Sequence, residues 1–145
     1  MRAQHGSVTH SLRRSTILGV SEERCPCGRV RFYEACCGRV HEKGAGVGVT
    51  AEDLMRARYS AYVLGDTGFL LRSWHPDVRP TTVSFDPDLE WLGLDVERTE
   101  DGGGFDTEGV VEFRARFRRG DDHLELHEVS TFTRVDGLWV YVAGD

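Results

Sequence analysis

The chain holds 145 residues with a formal net charge of −6, room for one domain of ordinary size and a small appendage. Its 39% hydrophobic and 29% charged content is that of a soluble globular protein, and no run approaches the roughly 18–20 apolar residues of a membrane helix. The charge is unevenly divided: residues 1–43 carry eight Arg/Lys against four Asp/Glu, and residues 44–145 carry ten against twenty. That split argues against a whole-domain nucleic-acid binder and leaves a local contact by the basic front open.

Residues 1–22 show no usable periodicity. Arg13 and Arg14 interrupt the apolar residues Leu12, Ile17, Leu18 and Val20, so the stretch does not read as a secretory signal. Its Arg/Ser/Thr content also fits a transit peptide, but the expectation is a disordered tail. A protein without an export signal is expected in the reducing cytoplasm, where clustered cysteines more often hold metal than form disulfides.

All four cysteines follow within thirteen residues, as Cys25-x-Cys27 and Cys36-Cys37. Cys25 and Cys27 can approach one metal from a tight turn at Pro26-Gly28, and eight residues of hairpin or helical turn return Cys36 and Cys37 to its other side. Four thiolates close a tetrahedral zinc site and leave no position for a substrate. His41 is an alternative fourth ligand. A buried reduced cluster or an adventitious disulfide is the competing reading, though C-C and C-x-C pairs make poor staples. Arg24, Arg29, Arg31 and Arg39 crowd the segment and would offset the site's charge of −2. The module is assigned to 23–45, its last residues beginning a glycine-rich connection, 44–48, that lacks a phosphate-loop pattern.

The remaining chain, 46–145, is read as an α+β domain. Thr50-Ala51-Glu52-Asp53 resembles a capping box with Asp in place of the usual Glu or Gln. Leu54, Arg58, Ala61 and Tyr62, with Met55, Tyr59 and Val63, then form a stripe that ends at Gly65. Asp66 opens a short second helix that stops before His75-Pro76. Strands are expected at 91–96, 110–119, 124–135 and 138–142, with turns at Gly102-Gly103-Gly104, Gly120-Asp121-Asp122 and Asp136-Gly137. The expectation is one or two helices on one face of a three- or four-stranded antiparallel sheet.

Two resemblances refine this reading. The cysteine stretch, with its C-P-C-G opening and aromatic Phe32-Tyr33, resembles the SEC-C motif, the zinc tail of the bacterial preprotein-translocase ATPase. The body resembles the YchJ family of bacterial proteins in the 54–62 stretch Leu-Met-Arg-Ala-Arg-Tyr-Ser-Ala-Tyr. It does so again in Ser73-Trp74-His75-Pro76, in Trp91-Leu92-Gly93-Leu94, and in His127-Glu128 before Ser130 and Phe132. The match covers about 23–145. It implies Cys25, Cys27, Cys36 and Cys37 as ligands of one structural zinc, and a nuclear-transport-factor-two-like cone, a curved sheet wrapping helices. Unlike some relatives, the chain has a long N-terminal tail and no second SEC-C motif.

Folds of this class often hold a pocket between sheet and helices. On the strand from Leu124, Glu128 and Ser130 share a face with Leu124, Leu126 and Phe132, while His127 points to the other face. Glu128 reads either as a general base or ligand anchor in a small pocket lined by Tyr59, Tyr62, Trp74 and Ser130, or as a structural buried acid tying helix to sheet. The second is favoured. Arg56, Arg58, Tyr59 or Tyr62 are its candidate partners. No convincing catalytic constellation emerges. The leading expectation is a non-enzymatic zinc-binding accessory protein docking a protein or ribonucleoprotein partner through Arg29, Arg31 and Arg39. The alternative is a small-molecule binder or enzyme with Glu128 as acid/base. Neither the oligomeric state nor the partner's identity follows from the residues.

Overall fold

The computed structural model describes residues 23–145, and before them only the backbone pairing of two short strands, β1 (Thr16–Ile17) and β2 (Val20–Ser21). Apart from those pairs, the expected tail, 1–22, lies outside the described residues. After the cysteine turn come a single 3₁₀ turn, Tyr33–Ala35, and helix α1 (Cys37–Lys43). Helices α2 (Ala51–Leu64) and α3 (Thr67–Arg72) follow.

Helix α2 begins and ends where its residues dictate. The Thr50 hydroxyl accepts from the Asp53 amide, and the Asp53 carboxylate accepts from the Thr50 amide, both at 3.0 Å. This is a full capping box with Asp at its third position. Gly65 closes the helix in the left-handed region at φ +72°, where a glycine costs least. The stripe of Leu54, Met55, Arg58, Tyr59, Ala61 and Tyr62 is buried as the periodicity predicts, and Val63 is partly buried. Ala57 and Ser60, off that stripe, are buried as well, because the cysteine module covers a second side. A helix buried on two sides is a central element rather than a surface one.

Four antiparallel strands pair in sequence order: β3 (Leu89–Asp101), β4 (Glu108–Arg119), β5 (Asp122–Val135) and β6 (Leu138–Gly144). Strand β3 is much longer than the expected 91–96. Bulges at Trp91/Gly93 and Val96/Arg98 break its alternation, and its second half is charged and exposed, so no hydrophobic period marks it. Asp136 and Gly137 both take positive φ, 52° and 83°, the pattern of a two-residue hairpin turn matched to strand twist.

The inward face of the curved sheet carries Val111, Phe113, Ala115, Phe132, Trp139 and Tyr141, against α2 and its neighbours. The outer face carries ion pairs, among them Arg114 with Glu97 and Glu125, Arg116 with Asp95, and Arg98 with Glu112. The free edge of β6 is occupied. Tyr141 donates to the Ser73 carbonyl, His75 donates to that of Tyr141, and Trp139 donates to that of Ala45. No helix among the described residues is long and apolar enough to cross a membrane.

Candidate metal centre

Cys25 and Cys27 flank Pro26 on a turn closed by hydrogen bonds from the Cys25 amide to the Arg31 carbonyl and from the Gly28 amide to the Cys25 carbonyl. Gly28 takes φ +93° at the turn's corner. The 3₁₀ turn then delivers Cys36 and Cys37 at the start of α1. All four cysteines are buried and unbridged. Their sulfurs lie within 4.8 Å of one another, and those of Cys27 and Cys36 are 3.6 Å apart. A zinc–sulfur bond of about 2.3 Å sets the edge of a tetrahedron at about 3.8 Å, so the donor set fits the ion.

Among themselves the sulfurs share protons unevenly. Hydrogen bonds from Cys25 and Cys37 pull the Cys27 thiol far down, and the Arg29 amide adds to this. Burial and the nearby sulfur charges push Cys36 up to about 11. Cys37 is also pushed up, by its hydrogen bonds with Cys25 and Cys27 and by burial. A divalent cation replaces these protons and lets every sulfur act as a thiolate.

His41 is not part of the cluster. Its Nδ1 faces the Tyr33 hydroxyl at 2.6 Å and its Nε2 the Ala57 carbonyl at 2.7 Å. A carbonyl only accepts, so Nε2 carries the proton and Nδ1 accepts from tyrosine. Both nitrogens are engaged, and the ring packs at a tilt against Phe69, centroids 4.6 Å apart. The histidine fastens the module to α2.

Helix α2 meets the module along one side. Asp53 and Glu52 take the Arg29 guanidinium at 2.6 and 3.4 Å, and Arg56 donates to the Cys27 carbonyl at 2.9 Å. Ala57 holds His41, and the Ser60 hydroxyl lies 3.7 Å from the Cys25 sulfur. Ser60 is a contact the sequence did not disclose, since a serine inside a helix carries no signal of its neighbour. Cysteine sulfurs and domain side chains share one continuous core.

Arg29, Arg31 and Arg39 all line one groove of about 350 Å³ beside the module, together with Lys43 and Val47. Their situations differ. Arg29 is spent on Asp53, whereas among the described residues Arg31, Arg39 and Lys43 have no hydrogen-bond or ion-pair partner for their side chains. Arg24 is the same. Every other described Arg meets a carboxylate, a hydroxyl or a backbone carbonyl. Among the described residues the unpartnered cations are confined to the cysteine module.

The residues expected around the cone pocket separate into two groups. Glu128 is 2% exposed and accepts from the Ser130 hydroxyl at 2.8 Å and the Tyr141 hydroxyl at 3.2 Å. The Ser130 bond lies within β5 and the Tyr141 bond joins β5 to β6, while the Glu128 charge also favours the cationic form of Arg58 on α2. The Trp74 and Tyr141 rings flank Arg58, 4.7 and 4.6 Å from its guanidinium carbon. Arg58 is fully buried, and desolvation pulls it down to about 10, so it stays cationic at neutral pH. Tyr62 is pushed up to about 12 by burial and lies between this group and the Trp91 and Phe85 rings. Tyr59 packs separately, edge-on to Trp91. His127 faces outward onto Glu112, as strand alternation requires. Tyr141, which the sequence did not single out, links Arg58 to Glu128. Only its position two residues beyond Trp139 hinted at an inward face.

A family model for the middle NTF2-like domain of YchJ matches residues 50–144. A UPF0225 protein of Streptomyces coelicolor is 52% identical over 121 residues, 83% of this chain and 94% of that protein. One of Corynebacterium glutamicum is 42% identical over 123 residues, 85% of this chain and 97% of that protein. The solution structure of a SEC-C motif containing protein from Rhodopseudomonas palustris superposes with a TM-score of 0.70 at 32% identity, covering 83% of this chain and 96% of that one. The crystal structure of another, from Psychrobacter arcticus, gives 0.63 at 27% identity, covering 82% and 80%.

Proposed function

Because the chain belongs to the YchJ family, with an NTF2-like domain behind a cysteine module like those of its SEC-C neighbours, we propose that it is a cytoplasmic zinc-binding accessory protein. In this reading one structural zinc per chain is held by Cys25, Cys27, Cys36 and Cys37. The module docks an anionic surface of a protein or ribonucleoprotein partner, and no catalysis is assigned. When bound, the zinc ties the cysteine turn to the start of α1. The chain's own residues do the rest: Arg29, Arg56 and His41 fix the module's orientation on α2, and the groove cations meet the partner.

One observation carries the docking role. The described cations without partners all belong to the module, while the arginines of the outer sheet face are neutralised in place. Exposed charge left unpaired and gathered at one groove steers and selects an oppositely charged partner.

Two experiments test it. Protein purified without chelator should carry about one zinc per chain, lost in Cys36→Ser; metal-free reduced protein would overturn the zinc assignment. Native pull-down with Arg31→Glu, Arg39→Glu and Lys43→Glu combined should lose a partner that wild type retains, at unchanged zinc content and melting temperature. Equal capture would remove the docking role. Arg29 is left intact, because its reversal would also break the clamp to Asp53.

A further inference from the structure

Arg58 presents a problem that neither the zinc module nor docking uses. Its side chain is wholly buried. The two N–H groups of Nη1 are satisfied, by the Leu70 carbonyl at 2.9 Å and the Ser73 hydroxyl at 2.7 Å. Nε and Nη2 have no hydrogen-bond partner. A guanidinium has five donors in fixed directions, and the Nε–H and the near Nη2–H point the same way along one edge. That edge is the fork that takes a carboxylate side-on through two parallel hydrogen bonds. The donors left over are therefore a matched set rather than a random remainder.

The surroundings narrow the acceptor. Trp74 and Tyr141 lie against the guanidinium, and Tyr141 donates to Glu128 through its hydroxyl. A buried carboxylate thus sits one tyrosine away, which disfavours a multiply charged anion such as phosphate. The aromatic walls favour an apolar body. Trp74 is only partly buried and is the member of the cage that reaches the surface.

We propose that the cone holds a binding site for a small monocarboxylate on an aromatic or apolar body, its carboxylate seated on the Nε/Nη2 edge of Arg58 between Trp74 and Tyr141. Arg58 anchors the charge, Ser73 fixes the guanidinium from behind, and Trp74 gates entry. The site is independent of the docking role.

The test is an NMR titration of the full chain with benzoate, following the Arg58 Nε–H and Nη–H signals, with benzyl alcohol and chloride as controls. Benzoate should shift the Arg58 signals downfield to saturation, and neither control should. Arg58→Lys keeps the positive charge but not the fork, and should weaken benzoate by about tenfold or more, the worth of one charge-assisted hydrogen bond. Unmoved Arg58 signals, an equal response to benzyl alcohol, or undiminished binding by a folded Arg58→Lys would each overturn the proposal. The wild-type titration decides by itself where Arg58→Lys does not fold.

Discussion

His41 is held between a phenol and a carbonyl with one proton to give, and burial lowers its pKa below the ordinary histidine value. The unfolded chain then takes up a proton that the folded chain refuses. Its contribution is fully present above the unfolded pKa, about 6.5, and is lost as pH falls below it. Between pH 8 and 5 the melting temperature of wild type should fall more steeply than that of His41→Gln, and equal slopes would contradict the assignment. Gly144 makes a second prediction. A Cβ built there runs into the Glu128 carboxylate, so Gly144→Ala should cost about 1–3 kcal/mol in urea unfolding. At this scale the sequence was legible where chemistry is local. Four cysteines in thirteen residues announce a cluster with metal-binding spacing in any fold. The orphaned edge of Arg58 depends on Leu70, Ser73 and Trp74 from α3 and its C-terminal exit meeting Tyr141 from β6, and one sequence does not encode that meeting visibly.

Helix α2 explains both what the elements disclosed and what they concealed. Its capping box, its Gly65 stop and its Leu54-to-Tyr62 stripe are written in residue types whose preferences are intrinsic. Its second buried side is not, because Ala57 and Ser60 are neutral letters until the cysteine module covers them. Asp53 serves both as helix cap and as anchor for Arg29, and these partners hold its carboxyl below the usual range despite burial. Thr50→Ala should therefore lose about 1 kcal/mol, the worth of a cap. Asp53→Asn should lose more and also release zinc to a competing chelator faster, since it frees the module as well as the helix. Equal chelation rates in the two variants would show that Arg29 does not restrain the module. Strand β3 failed to announce its length for the reason opposite to α2: two bulges shift its period, and its charged half faces water.

The molecule as a whole is expected to respond to metal as one body. The sulfurs belong to the same core as Leu54, Phe69 and Tyr141, so removing the proposed zinc would loosen packing that the domain shares. Calorimetry with and without a zinc chelator should show one transition moved to lower temperature. An unmoved main transition would mean that the module melts separately from residues 46–145. The four-stranded sheet and its helical cover were legible in outline, because alternation and turn chemistry are repeated along the chain. The joining of module to domain was not, since it is made by Arg29, His41 and Arg56 reaching partners far along the chain.

The closed edge of β6 leaves a consequence at the opposite margin. With Ala45, Ser73 and His75 hydrogen-bonded along β6, the sheet's remaining lateral strand is β3. That strand carries Glu90, Asp95, Glu97, Glu100 and Asp101 against Arg98 alone, and two bulges twist it. A second copy approaching edge to edge would meet a crooked rail of charged side chains, several already paired to Arg114, Arg116 and Arg118 of the neighbouring strand. The irregularity that hid this strand from the sequence also makes it a poor template for a strand of another copy.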